Sequence, residues 1–222
     1  MSKRSVAIIG KGPSVLLGNS SIYNEFDEIA LINWPIMDHK YLPQRCDSMF
    51  THYFGVQEIY EPRKKMLVTS KPWSNNNIIK YNVKNIYCTV PNDENYIKKF
   101  IPDNFYNIKI HKHLRHINNI MKFDNNSGMF ALTYYCEQPD VEKIFFIGFD
   151  AYTGKTPKDN YYFTPPSKIT GQYSTINNDC HNRKSTFDYM QNIGKKYSNI
   201  DFYYISKLNF KEYDNFKKYK IS

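Results

Sequence analysis

Short runs of β-branched and aromatic residues recur along this chain, each separated from the next by a turn or by a stretch with helical spacing. The candidate strands are Ser5–Ile9, Glu28–Ile32, Ser48–His52, Met66–Thr69, Asn85–Val90, Lys143–Gly148 and Asp201–Ile205. Several are apolar without alternation, the pattern of parallel strands whose two faces are both buried. Helical spacing is clearest at Ser127–Gln138, where Met129, Leu132, Thr133 and Cys136 recur on one face, and at Ser185–Tyr197. Pro139 stops the first helix and Val141 leads into the next strand. This alternation predicts an α/β fold: a Rossmann-like, mostly parallel sheet with helices on both faces.

A chain of 222 residues is expected to form one domain, 1–222, with room for a small lid subdomain. The lid is placed at 151–180, inserted before the last helix-strand unit. There the periodicity breaks, Gly154, Pro157, Pro165, Pro166 and Gly171 accumulate, and tyrosines stand at 152, 161, 162 and 173. Aromatic residues make up 17% of the chain, too many for a disordered polymer. No run approaches the ~20 apolar residues of a membrane span, and the start reads as a strand rather than a secretion signal. Cys46, Cys88, Cys136 and Cys180 lie far apart without a Cys-x-x-Cys pair, as free thiols in a reducing cytoplasm would. His111, His113 and His116 cluster without a completing cysteine or acid, so a solvated basic segment is expected there rather than a metal site.

Thirty Lys and Arg against 21 Asp and Glu leave a formal charge of +9, which favours an anionic partner without selecting one. Part of that charge fits an AT-rich codon bias, since lysine, asparagine, isoleucine and tyrosine are abundant and alanine scarce. Arginine occurs five times and the aromatics concentrate in the lid, so no nucleic-acid partner is expected.

Four places carry residues suited to chemistry. Gly10-Lys11-Gly12-Pro13-Ser14 follows the first strand, where glycines admit a close backbone approach and amides beyond them are free to bind an anion. It matches neither a dinucleotide fingerprint nor a P-loop, and a tight strand–helix turn explains it equally well. Asn126, Ser127 and Gly128 open the clearest helix, where an N-cap and an unusual glycine coincide. Gly148 and Asp150 sit at the carboxyl end of a strand, the edge where open α/β sheets bind ligands; Asp150 caps a turn, binds a hydroxyl or orients a neighbour. His181 stands where the lid rejoins the core, with a reference pKa of about 6.5 suited to proton transfer.

Taken in order, these pieces resemble the bacterial lipooligosaccharide sialyltransferases over roughly Val6 to Ile205. The sequence runs Gly-x-Gly-Pro-Ser after the first strand, Asn33 after the second and His52 after the third. Then come Ser127-Gly128, Ile-Gly-Phe-Asp-x-Tyr at 147–152, a tyrosine-rich stretch and a lone histidine before a helix. Ser127 to Tyr152 is the most specific part. The resemblance implies a metal-independent, inverting transfer of sialic acid, or a related nonulosonic acid, from a CMP-sugar to a glycan hydroxyl, with no cofactor. It implies that Gly10, Lys11, Gly12, Pro13 and Ser14 shape the nucleotide pocket and that Asn33, His52, Asn126, Ser127, Gly128 and Asp150 contribute to substrate binding. Tyr152 and one or both of Tyr161 and Tyr162 would hold the donor and its leaving phosphate, and His181 would be the general base. Lys11 and His52 depart from the family pattern, which has asparagine at both places.

The expected partners are the CMP-sugar donor and a glycan acceptor, with peripheral membrane association through the basic surface and a homo-oligomer left open. Competing readings are a pterin pyrophosphokinase-like or motility-accessory protein with a similar Gly-Pro-Ser loop, which gives His181 no role, and a basic nucleic-acid-binding module.

Overall fold

The computed structural model describes residues 2–33, 41–51, 82–89, 91, 108–121, 126–151 and 183–221, together with the strands at 58–61 and 66–69. The expected lid, with Tyr152, Tyr161, Tyr162, Tyr173, Cys180 and His181, lies outside the described residues apart from Ala151. So does His52.

Eight strands form one sheet: β1 (Arg4–Ile9), β2 (Glu28–Ile32), β3 (Ser48–Thr51), β6 (Asn85–Cys88), β7 (Lys109–His111), β8 (Val141–Ile147), β9 (Asp201–Ile205) and β10 (Phe216–Lys218). They run in the order β10-β9-β8-β1-β2-β3-β6-β7 and every pairing is parallel. Two further strands, β4 (Glu58–Glu61) and β5 (Met66–Thr69), pair antiparallel with each other. Met66–Thr69 is therefore a strand, but in a separate hairpin rather than in the parallel sheet. Cross-strand register levels the carboxyl ends: Ile9 lies opposite both Leu31 and Ile147, and Ile147 opposite Ile205.

The three described α-helices, α1 (Arg115–Met121), α2 (Ser127–Cys136) and α3 (Arg183–Lys196), pack on one face of the sheet. Alternate residues such as Val6, Ile8, Phe146 and Tyr204 meet them there. Ala7, Ile9, Phe145 and Ile147 point to the other face. Among the described residues, that face is covered by two 3-10 helices, Pro13–Leu17 and Ser20–Glu25, and by Leu42, Val83 and Tyr219, with no α-helix. Helix α2 is buried almost all round, from Ser127 through Thr133 and again at Tyr135 and Cys136. Its apolar character on every side fits a helix enclosed by the core rather than one with a solvated face. Asn126 caps it, its Oδ1 accepting from Met129 N at 3.0 Å. Helix α3 ends with Lys195 and Lys196, suited to the negative end of the helix dipole. Asn215 Nδ2 donates to the carbonyls of Gly194, Tyr197 and Ile200, which clasps the C-terminal segment onto that end. No helix among the described residues is long and apolar enough to cross a membrane.

The amino edge of the sheet holds its own charge network. Glu28 Oε1 accepts from Tyr135 Oη and from Ser48 Oγ, each at 2.5 Å, and its other oxygen pairs with Arg4. Arg4 Nε also reaches Asp140 at 3.1 Å. Burial alone would lower the Arg4 pKa, but Glu28 and Asp140 outweigh it and raise it. Burial, reinforced by the Glu28 charge, holds the Tyr135 phenol well above its usual range.

The histidine segment departs from the expected solvated strip. His111 belongs to β7, stacks on Tyr87 at 4.2 Å and bonds Asn85 Oδ1 through Nε2 at 3.0 Å. His113 packs against Phe130 at 5.5 Å. Only His116 of the three is exposed. Cys46, Cys88 and Cys136 are buried and form no disulfide, and burial raises the thiol pKa at Cys46 and Cys136. Those two are inert structural thiols.

Candidate functional site

Because the sheet is wholly parallel, all its carboxyl ends gather on one edge. The chain winds from β1 outward through β2 and β3, then returns to place β8 on the other side of β1. The topological switch point, where such sheets bind ligands, is therefore the junction of β1 and β8. The described candidates meet here.

The loop after β1 is tied to the end of β8 rather than left open. Gly10 N donates to Ile147 O and Gly12 N to Gly148 O, both at 2.8 Å. In return Gly148 N donates to Ser14 Oγ at 2.9 Å. Ser14 N donates to Asp150 Oδ2 at 2.8 Å, and Val15 N donates to Gly12 O. This corrects the expectation of free anion-binding amides: those of Gly10, Gly12, Ser14 and Val15 are spent on protein acceptors, and Pro13 has none to offer. The glycines have an internal reason too. A Cβ on Gly12 would stand 2.4 Å from Asp150 Oδ2 and 2.6 Å from Gly148 O, and one on Gly10 would stand 2.6 Å from Gly148 O. Gly148 itself adopts φ +79, a conformation that favours glycine. What the loop approaches closely is the backbone of β8. Lys11, half-buried between the two glycines, is the cation that this loop contributes to the edge.

A chain of short polar contacts continues along the edge. Asn33 follows β2 with φ 55, a left-handed conformation that asparagine tolerates. Its N donates to Phe50 O and its Oδ1 accepts from Thr51 Oγ1 at 2.8 Å. Thr89 N donates to Thr51 O, and Thr89 Oγ1 and Ser127 Oγ share a hydrogen bond of 2.9 Å. The hydroxyl pair ties the start of α2 to the end of β6. Helix geometry leaves the first-turn amides without intrahelical acceptors; Asn126 takes Met129 N, and those of Ser127 and Gly128 lie at the carboxyl edge. A Cβ on Gly128 would lie 3.0 Å from the Phe149 ring, so the ring would have to give by a few tenths of an ångström to admit one. What approaches this unusual glycine closely is thus a side chain of the protein.

Asp150 closes the chain on its other side. It is buried, with 4% of its surface exposed. Its Oδ1 accepts from Ser206 Oγ and Lys207 N, both at 2.9 Å, while Oδ2 takes Ser14 N. Ala151 follows with φ 45 and its methyl group in the core.

Of the residues singled out from the sequence, Gly10, Gly12, Pro13, Ser14, Asn33, Asn126, Ser127, Gly128 and Asp150 thus fall on one edge with Lys11. Thr51, Thr89, Ser206 and Lys207 belong to the same edge and were not foreseen. The signal for three of them was available, as the first polar residue after a buried strand run: Thr51 after Met49-Phe50, Thr89 after Tyr87-Cys88, Ser206 after Tyr204-Ile205. Among the described residues, no three His, Cys, Asp or Glu side chains are grouped to hold a metal ion.

The class these observations define is a parallel-sheet α/β protein with a cross-tied polar edge at its switch point. Solved structures of the same fold include the Campylobacter jejuni sialyltransferase CstII with cytidine-5'-monophosphate, at TM-score 0.54 and 18% identity over 93% of this chain and 81% of that one. CstII with a trisaccharide acceptor and CMP matches at TM-score 0.50 and 19% identity, over 91% and 81%. The monofunctional alpha-2,3-sialyltransferase Cst-I of Campylobacter jejuni matches at TM-score 0.54 and 15% identity, over 92% and 76%. No protein-family model and no curated protein sequence matches the chain.

Proposed function

We propose that the protein is a sialyltransferase-like glycosyltransferase that takes a sialic acid, or a related nonulosonic acid, from a CMP-sugar and passes it to a glycan hydroxyl. The observation that carries this reading is the unbroken chain of polar contacts from Asn33 through Thr51 and Thr89 to Ser127, beside the Gly10–Ser14 loop at the switch point. It lies on the fold of proteins solved with CMP and with a trisaccharide acceptor. The pterin pyrophosphokinase-like and nucleic-acid readings have no comparable support.

On this reading, Lys11, Asn33, Ser127 and the first-turn amides of α2 contact the nucleotide half of the donor. Tyr152 with Tyr161 and Tyr162 donates hydrogen bonds to the leaving phosphate, replacing the charge stabilisation a metal would give. His181 accepts the proton of the acceptor hydroxyl as that oxygen attacks the anomeric carbon. The new C–O bond forms as the bond from carbon to the phosphate oxygen breaks, CMP leaves with the electron pair, and the configuration inverts.

The experiment is a transfer assay with CMP-sialic acid and a glycan acceptor in EDTA, with product configuration read by NMR. Turnover should persist, the anomeric centre should invert, and His181→Ala should lower kcat by about 10²–10⁴-fold with CMP affinity little changed. Turnover that needs added Mn²⁺ or Mg²⁺ would overturn the metal-free mechanism. ATP binding in place of CMP would favour the pyrophosphokinase-like reading.

A further inference from the structure

We propose that Asp150 is a positioning residue, which holds the Gly10–Ser14 loop in its ligand-receiving shape by tying it to the ends of β8 and β9. The proposal rests on the donor-site reading above and replaces a direct contact between Asp150 and substrate. The carboxyl oxygens face inward to protein donors: Ser14 N on one oxygen, Ser206 Oγ and Lys207 N on the other, all within 2.9 Å. Those donors belong to loops leaving β1 and β9, which flank β8 in the sheet. One buried side chain thus joins three strand ends at the switch point.

Two features show that the tie is tight. Gly12 leaves no space for a methyl group between itself and Asp150 Oδ2. Ala151 is held at φ 45, a conformation that L-residues other than Asn and Asp seldom enter and that persists only where surrounding contacts over-determine it. The Asp150 bonds on one side and the buried Ala151 methyl on the other supply that constraint. Released from Asp150, the loop would keep its Gly10 and Gly12 bonds to β8 but lose the bond that fixes Ser14 N. Pro13, Ser14 and the 3-10 turn they open would lose their fixed bearing with it.

The test is Asp150→Asn. The amide keeps the size but sets an N–H₂ against either Ser14 N–H or Lys207 N–H, so one donor is unmet. We expect the Kd for CMP to rise by about 10- to 100-fold, the equivalent of one or two unmade buried hydrogen bonds. The donor KM should follow, while kcat at saturating donor changes by less than about threefold, and backbone amide exchange should quicken at Ser14 and Lys207. Tyr135→Phe, at the opposite edge, is the control for lost stability and should leave the Kd for CMP unchanged. If Asp150→Asn does not fold, Ser206→Ala removes one bond to Oδ1 and should raise the Kd by a smaller factor, about 3- to 10-fold. A folded Asp150→Asn (or Ser206→Ala) protein with wild-type CMP affinity overturns the proposal. If the wild type binds no CMP, the donor reading fails by itself. Amide exchange then decides the tie: faster exchange at Ser14 and Lys207 in the variant supports it, and equal rates overturn it.

Discussion

The two ends of the parallel sheet use carboxyl groups in opposite ways. At the amino edge Glu28 gathers a cation and two hydroxyls, and Arg4 shares itself with Asp140, so the charges satisfy one another. At the carboxyl edge Asp150 binds two backbone amides and one hydroxyl and leaves the edge with Lys11, Asn33 and Ser127. The first arrangement closes an edge; the second ties loops together and holds them in place. Both carboxyl groups stabilise, but only one of them sits among the groups that a ligand would meet. A parallel sheet divides its labour in this way because strand ends that face helix starts carry oriented amides, while the other edge does not.

Variants at each edge should separate stability from binding. The largest stability loss is expected from Glu28→Ala, which leaves Arg4 only its Asp140 partner and takes the acceptor from the buried hydroxyls of Ser48 and Tyr135. Removing one partner of a buried pair costs about 3–5 kcal/mol; partial exposure of Arg4 lowers this to about 2–4 kcal/mol. Urea unfolding measures it, and the protein that remains folded should bind CMP normally. Next comes Gly12→Ala, whose methyl group must displace Asp150 or the β8 backbone. Overpacking of this kind costs about 1–3 kcal/mol, and here CMP affinity should fall at least tenfold, measured by calorimetry. Tyr135→Phe ranks lower, at about 1 kcal/mol, since Glu28 keeps Arg4 and Ser48. Equal loss of CMP affinity in Tyr135→Phe and Gly12→Ala would erase the distinction between the edges.

The smallest effect is a pH dependence at His111. Burial, aided by Lys109, lowers its pKa in the folded protein below the ordinary 6.5. The unfolded chain therefore takes up the proton first. The stabilisation is complete above about pH 6.5 and is lost as pH falls through the lower folded value. Melting temperature should drop more steeply between about pH 7 and pH 5 in the wild type than in His111→Phe, which keeps the stack on Tyr87. Parallel curves would show that His111 does not contribute.

Much of the fold was legible because buried parallel strands announce themselves. Glu28–Ile32, Met66–Thr69 and Asp201–Ile205 have the boundaries expected of them. β1 starts one residue earlier, β8 starts two residues earlier and ends one earlier, and β3 and β6 start where expected, His52 and Val90 lying outside the described residues. The elements that escaped notice are short and partly polar. β7 alternates Lys109, Ile110 and His111, and β10 carries Lys217 and Lys218 outward, as edge strands do when they resist further pairing. Helix α1 buries Ile117 and Met121 and packs Ile120 partly against the core. The hairpin partner of Met66–Thr69, Glu58-Ile59-Tyr60-Glu61, has charge at both ends. At the carboxyl edge the positions of Gly10–Ser14, Asn33, Ser127 and Asp150 were legible from motif order. Their bonding was not, because whether an amide is free or a glycine necessary depends on what a strand more than a hundred residues away brings beside it. Gly12 and Asp150 are the plainest example.

The central claim is that nucleotide binds at the carboxyl edge and not at the amino edge. Backbone chemical-shift mapping with CMP tests it directly, since every amide reports on its own surroundings. The account predicts saturable shifts concentrated at Lys11, Gly12, Asn33, Ser127 and Gly128, with Arg4, Glu28 and Tyr135 unmoved. Saturable shifts centred on Arg4 and Glu28, or none at the carboxyl edge at millimolar CMP, would contradict it.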